Sequence, residues 1–289
     1  MHDRERAGGT LPPGLHFIAT PIGAARDITL RALDILRDAD VIAAEDTRTL
    51  RHLMEIHGVP LAGRPLVAYH DHNGEAARPR ILRALEEGKT VVYASEAGTP
   101  LVADPGYQLG RAAIEAGFVV HAAPGPSAVL CALTVSGLPS DRFLFAGFPP
   151  NTQSARRKWL RGFAPVPATL IFYESPKRVR EMLGDLVEEL GPERQAALCR
   201  ELTKRFEEVR RGSLQELLQG LEEAPVKGEI VVLVDRERHR KADPAAVEVA
   251  LRQRLETMRL KDAAREVAEE FGLPKRDVYQ LGLALEDKE

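Results

Sequence analysis

TVVYASEAGTPLVADPGYQLGRAAIEAG, residues 90–117, opens on an apolar run short enough for a buried strand and closes on apolar positions at helical spacing. Between them lies ASEAGTPLVADPG, residues 94–106, with an acid, a glycine and a proline at the strand's exit and a second acid, Asp104, before the helix. Strand, polar turn and helix form the unit from which parallel sheets are built, because the crossover helix covers the sheet and carries the chain back to the strand's starting edge. Asp104 suits the N-cap of that helix, with Pro105 at its first position.

The unit recurs along the first half of the chain. LHFIAT is followed by ITLRALDILRDA, VIAAED by TLRHLMEIHG, LVAYH by ARPRILRALEEG, and FVVHAAPG by SAVLCALTVSG. With residues 90–117 these make five strand–helix pairs, which predicts an α/β fold with a mostly parallel N-terminal sheet over residues 14–137. Ligands of such sheets bind outside the carboxyl ends of the strands, so the loops after the strands are the places to search. Residues 1–13 read as a flexible lead-in without the apolar core of a signal peptide. GLPSDRFLFAGFPP, residues 137–150, carries three prolines and reads as a linker or domain crossing. Residues 138–236 read as a second α/β domain. Residues 237–289 read as a charged linker and a small helical tail, in which LKDAAREVAEEF and LPKRDVYQLGLALE flank Gly272 at helix-turn-helix spacing. A plain helical cap fits the tail equally well.

The chain has 289 residues, 44% hydrophobic and 29% charged, with a net charge of −3, which is globular composition and leaves a nucleic-acid partner open. Cys131 and Cys199 stand far apart, so neither a zinc site nor a disulfide framework is expected, and a reducing cytoplasm suits them. No window approaches the roughly 18 apolar residues of a membrane span. No G-x-G occurs anywhere, which removes the glycine fingerprint of dinucleotide-binding folds. EGKTVV precedes a strand rather than a helix and is not a P-loop.

Five loops remain as candidates. TPIG, residues 20–23, can expose main-chain groups to a flat ligand. AAEDTR brings the adjacent acids Glu45 and Asp46 to the end of strand two, where Asp46 or Thr47 serves equally as a helix N-cap. YHDHN sets His70, Asp71 and His72 in one turn; as a metal site it lacks further ligands at recognisable spacing, so no metal is expected. Glu96 is placed to bond ribose hydroxyls or balance a cationic ligand, while Gly98, Thr99 and Pro100 expose backbone. PGPSA offers Ser127 as an N-cap or ligand donor. Five such turns along one edge describe an extended cleft of nucleoside size. In the second half, Arg156, Arg157, Lys158 and Arg161 share a helix with Trp159, and Lys177, Arg178 and Arg180 follow FYESP. That cluster suits RNA phosphates with an aromatic for stacking, or else a solvated helix face.

The ordered set ATPIG…DIT, AAEDTR, HDHN, AGTPL…DPGY, PGPSA, GLPSDRF, FYES, RELTK…E and KGE, from about Leu15 to Asp235, resembles the bacterial 16S ribosomal RNA (cytidine-2'-O)-methyltransferases of the ribosomal small subunit methyltransferase I type. These sit within the wider tetrapyrrole (corrin/porphyrin) methylase superfamily. The resemblance implies a two-domain tetrapyrrole-methylase-like fold with S-adenosylmethionine between the domains and a cytoplasmic homodimer. It further implies methylation of the ribose 2'-hydroxyl of a decoding-centre cytidine, number 1402, in the small ribosomal subunit. It assigns cofactor contacts to Pro21, Ile22 and Gly23, to Glu96, Gly98, Thr99, Pro100 and Leu101, to Ser127 with Ala128, and to Phe172, Tyr173 and Gly228. The RNA contacts expected beside it are Arg156, Arg157, Lys158, Arg161, Lys177 and Arg178, with Lys275 and Arg276 on the tail.

The family usually reads SDAGTP where this chain has SEAGTP, so Glu96 carries its charge one methylene further out. A ribose hydroxyl is a poor nucleophile at neutral pH and needs a base or strong acceptor. His70, Asp71 and His72 are the expected group, with Glu45 and Asp46 as alternatives. A tetrapyrrole carbon methyltransferase and a non-catalytic RNA-binding or ribosome-assembly protein are the competing readings of the same chain.

Overall fold

The computed structural model describes residues 11–236, 244–271 and 273–286. The lead-in over residues 1–10, most of the charged linker, and the Gly272 turn lie outside the described residues. One compact unit holds the described residues through 164 together with 168–235, and a second holds 165–167 and those from 236 onward.

In the first unit the chain runs β1 (Gly14–Ile18), α1 (Leu30–Asp38), β2 (Val41–Ala44), α2 (Thr47–Ile56), β3 (Leu66–Ala68), α3 (Gly74–Glu86), β4 (Thr90–Ala94), α4 (Gly106–Glu115), β5 (Val120–Ala123) and α5 (Ala128–Ser136). The strands order as β3-β2-β4-β1-β5, every pair parallel. Alternation sorts their side chains between two cores. Ile42, Ala44, Val92 and Ala94 meet Ile35 and Leu36 of α1 and Leu50, Leu53 and Met54 of α2 on one face. Ala43, Val91 and Tyr93 meet Ile81 and Leu85 of α3 and Leu109 and Ala113 of α4 on the other. The chain leaves β1 toward β2 but leaves β4 toward β5. These two connections run in opposite directions over opposite faces of the sheet, α1 on one and α4 on the other, which opens a crevice above the carboxyl ends of β1 and β4.

The chain continues through β6 (Phe143–Gly147), α6 (Gln153–Arg161), β7 (Thr169–Glu174), α7 (Val179–Leu190), β8 (Gln195–Arg200), β9 (Glu208–Ser213), α8 (Leu214–Glu223) and β10 (Ile230–Val234). These strands form a second sheet in the order β6-β7-β10-β8-β9, with β6 parallel to β7 and the other pairs antiparallel. Residues 137–150 are thus more than a linker: FLFAG pairs with β7 as an edge strand, and the prolines on either side mark its ends. Helix α5 and Ile22 of the loop after β1 pack against the second sheet, with Val129, Ala132 and Leu133 meeting Ile171, Ala197 and Val231, so α5 is the first half's main contact with that sheet. The second unit contains α9 (Pro244–Leu255), α10 (Leu260–Phe271) and α11 (Lys275–Glu286), closed around Leu251, Ala264, Val267 and Val278. Among the described residues no helix is long and apolar enough to cross a membrane.

Candidate active site

The loop after β4 is bonded to three of its neighbours. Thr20 and Gly98 exchange backbone bonds of 3.0 and 2.9 Å, tying it to the loop after β1. The Glu96 N–H donates to Glu45 Oε2 at 2.9 Å, tying it to the end of β2. Thr99 Oγ1 donates to the Pro126 carbonyl at 2.8 Å, tying it to the loop after β5. Within the loop, Leu101 and Ala103 hold φ of 69° and 57°, left-handed values that cost a side-chain-bearing residue on the order of 1–3 kcal/mol each. Strain of this kind persists only where the surroundings over-determine it, and the cross-bonding supplies that. Helix α4 starts at Gly106, one residue later than expected: Pro105 occupies the N-cap, while Asp104 Oδ1 accepts the Gly106 N–H at 2.6 Å and the Tyr93 hydroxyl at 3.0 Å.

The opposite wall belongs to the second sheet. Tyr173, Glu174, Ser175 and Pro176 end β7, Leu202 follows β8, and Gly228 to Val231 enter β10. Gly228 has φ of 88°, and a Cβ there would overlap the Glu201 carboxylate, whose Oε1 accepts the Glu229 N–H at 3.0 Å and a Lys204 bond at 3.2 Å. The two walls enclose a cavity of about 450 Å³.

Of the expected cofactor residues, Ile22, Glu96, Gly98, Thr99, Ser127, Ala128, Tyr173 and Gly228 line this cavity; Pro21, Gly23, Pro100, Leu101 and Phe172 do not. Gly23 is a packing glycine instead, since a Cβ would stand 2.6 Å from Thr203 Oγ1, and Thr203 Oγ1 accepts the Ala24 N–H at 3.1 Å. Phe172 is wholly buried against Trp159 and Phe163, with ring centroids 5.7 and 6.1 Å away. Successive strand residues point to opposite faces, so Tyr173 and Phe172 cannot share the cleft. Phe148, Val102, Leu202, Glu174 and Glu229 line it too; Glu174, Leu202 and Glu229 lie within FYES, RELTK and KGE but were not among the expected contacts, and Phe148 lies outside those motifs. Phe148 was hidden because it follows the edge strand inside the supposed linker.

Adjacent acids at the end of β2 have opposite environments. Asp46 caps α2, accepting the Arg48 and Thr49 N–H groups at 2.7 and 3.1 Å, and the Arg48 side chain holds its carboxyl down at about 2. It is engaged as a cap, which removes it as a proton acceptor. Glu45 lines the cavity; burial first, then Asp104 and Glu96 nearby, push its carboxyl up to about 7 against the opposing pull of the Glu96 N–H. In YHDHN, Asn73 closes the turn by accepting the His70 N–H at 2.8 Å and donating to the Ala68 carbonyl at 3.0 Å. Asp71 and His72 are exposed, His70 half-buried, and none of the three lines the cavity. Among the described residues no group of three or more His, Cys, Asp or Glu is gathered tightly enough to hold a metal.

The basic cluster is largely neutralised. Arg156, 1% exposed, bonds Asp185 through Nε at 2.6 Å inside the α6–α7 interface, so it is a core ion pair and no phosphate ligand. Arg157 pairs with Glu188 and Glu189 at 3.1 and 3.3 Å, Arg161 with Glu189 at 2.9 Å, and Arg178 with Glu174 at 3.2 Å. Lys158, Lys177, Lys275 and Arg276 are exposed.

A cleft at the switch point of one parallel sheet, closed by a mixed second sheet, is the architecture of a tetrapyrrole-methylase-type enzyme, and residues 14–218 match the family Tetrapyrrole (Corrin/Porphyrin) Methylases. Residues 241–286 match the RsmI C-terminal HTH domain. Ribosomal RNA small subunit methyltransferase I of Mesorhizobium japonicum is 48% identical over 96% of this chain and 94% of its own length. The protein of the same description from Mycobacterium tuberculosis is 43% identical over 92% and 93%. The chain belongs to this ribosomal RNA small subunit methyltransferase I family and is a methyltransferase. Among solved structures it is similar to the methyltransferase CobJ, with TM-score 0.60, 22% identity and coverage of 77% of this chain and 94% of that one. It is also similar in fold to uroporphyrin-III C-methyltransferase from Thermus thermophilus complexed with S-adenyl homocysteine, with TM-score 0.53, 22% identity and coverage of 77% and 97%.

Proposed function

We propose that the protein transfers a methyl group from S-adenosylmethionine to the ribose 2'-hydroxyl of a decoding-centre cytidine, cytidine 1402, of 16S rRNA in the small ribosomal subunit. The cytoplasmic homodimer implied by the sequence resemblance belongs to the same reading. Relatives described as small-subunit rRNA methyltransferases support the substrate, and the S-adenyl homocysteine complex of a protein sharing the fold supports the cofactor. The observation that carries the reading is the cavity itself, in which a strained, cross-bonded backbone loop faces Glu45.

The residues present fit the cofactor. Ala97, Gly98 and Ala128 let a ligand approach the main chain, Ile22, Val102, Leu202 and Val231 give an apolar wall, and Glu96 and Glu229 place carboxylates where hydroxyl or cationic groups need them. When bound, S-adenosylmethionine supplies an electrophilic methyl carbon on a sulfonium. The chain's part is to hold the ribose oxygen in line with that carbon, a positioning effect worth several powers of ten. Glu45, whose carboxyl is pushed up to about 7, faces the cavity as the acceptor that would take the ribose hydroxyl proton.

Incubating the protein with labelled S-adenosylmethionine and small subunits lacking the modification tests the reading. Label in 16S rRNA is expected. Label appearing on a corrin or porphyrin precursor with none on RNA would reverse it, and no label anywhere would favour a binding protein.

A further inference from the structure

Strand β6 ends in a register shift at Gly147, whose φ of 74° turns the next residue out of the sheet. That residue, Phe148, leaves its ring 57% exposed at the cavity, 5.5 Å from the ring of Tyr173 at an interplanar angle of 65°. Isolated exposed rings are ordinary on protein surfaces. This one is held in place: Arg178 donates to the carbonyls of Pro149 and Pro150 at 2.8 and 3.1 Å and to Asn151 Oδ1, while its own charge is balanced by Glu174. The segment after Phe148 is thereby pinned to the turn that carries Ser175 and Pro176, two further lining residues. Lys177 comes next; it is exposed and makes no ion pair among the described residues, unlike Arg178 and Arg180, which pair with Glu174 and Glu222.

We propose that Phe148 is the platform on which a base of the RNA substrate stacks at the mouth of the cleft, with Lys177 meeting a phosphate beside it. This rests on the rRNA methyltransferase reading above. A ribose hydroxyl inside folded RNA reaches an enclosed methyl donor only after its nucleotide leaves the stack, and the lost stacking must be replaced by an aromatic face. The enclosed part of the cavity, rich in backbone groups and small side chains, suits the small cofactor. The exposed ring on the rim suits the macromolecule arriving from outside. A ring fixed in advance by two prolines and an arginine loses little freedom on binding.

The test compares wild type with Phe148→Ala, Phe148→Trp and Lys177→Ala in full-length protein, reading S-adenosylmethionine affinity by calorimetry, small-subunit affinity by filter binding, and KM against kcat in methyl transfer. Phe148→Ala should weaken subunit affinity and raise the subunit KM about ten- to a hundredfold, with cofactor affinity and melting temperature unchanged. Phe148→Trp should restore both RNA parameters, because it keeps the stacking face. Lys177→Ala should reduce the salt slope of subunit binding by about one counterion. Unchanged subunit affinity in Phe148→Ala overturns the platform, and cofactor affinity falling in step with it assigns the ring to the cofactor's adenine instead. An unchanged salt slope in Lys177→Ala removes the phosphate contact. Binding and transfer are read separately, so a wild type that binds subunits without methylating them overturns the functional reading rather than the platform.

Discussion

Glu45 and Asp46 are neighbours in sequence, yet one accepts two helix N–H groups and the other faces the cavity. A carboxyl raised to about 7 is a competent acceptor only above that pH. The methyl-transfer rate is therefore expected to rise between pH 6 and 8. Glu45→Gln should flatten this rise and lower kcat by about a hundredfold or more, the usual worth of a general base. His70→Ala, Asp71→Ala and His72→Ala should leave kcat near wild type, because those side chains do not line the cavity. Stopped-time kcat measurements across pH on the four variants check both statements. Gly228 makes a separate prediction: alanine there would take a left-handed φ and displace the Glu201 carboxylate from the Glu229 N–H. The expected loss exceeds about 1 kcal/mol, seen as a melting point lower by a few degrees and a weaker cofactor affinity. The candidate acids were legible in AAEDTR; which of them faces the cleft was not, because the choice turns on the direction of one strand-end side chain.

At the scale of elements, α6 and α7 are joined by charge as well as by packing. Arg156 and Asp185 are both buried, and Arg157 and Glu189 extend the network outward. Asp185→Ala should cost about 3–5 kcal/mol in denaturant unfolding by stranding the Arg156 guanidinium in the interface, whereas Asp185→Leu with Arg156→Met should restore much of that loss. RNA affinity should change little in the double variant, since Arg156 is not available to phosphate. The helices themselves were legible from apolar spacing. The destination of their charges was not, because SARRKWLR supplies cations and DLVEEL supplies the matching acids about thirty residues away, and only tertiary packing pairs them. Strand β6 escaped for a different reason: an edge strand of five residues with proline on both sides carries the local signals of a loop.

Across the whole first unit, the parallel half of the fold was readable because each strand–turn–helix unit states its own period and its own break. The mixed half was readable in content but not in order, since antiparallel pairing over long connections leaves no local trace. The cleft joins both halves. Its floor comes from loops that four of the five short motifs announce, and its far wall from residues such as Phe148, Leu202 and Glu229 that become neighbours only when α5 packs on the second sheet. Mapping the transferred methyl bears on the whole of this account. Small subunits lacking the modification would be treated with the protein and labelled S-adenosylmethionine, and their 16S rRNA digested and resolved by mass spectrometry to the single nucleotide. The result predicted is one methyl on the ribose 2'-oxygen of cytidine 1402, abolished or strongly reduced by Glu45→Gln. A methyl on a base, at another nucleotide, or undiminished in Glu45→Gln would contradict it.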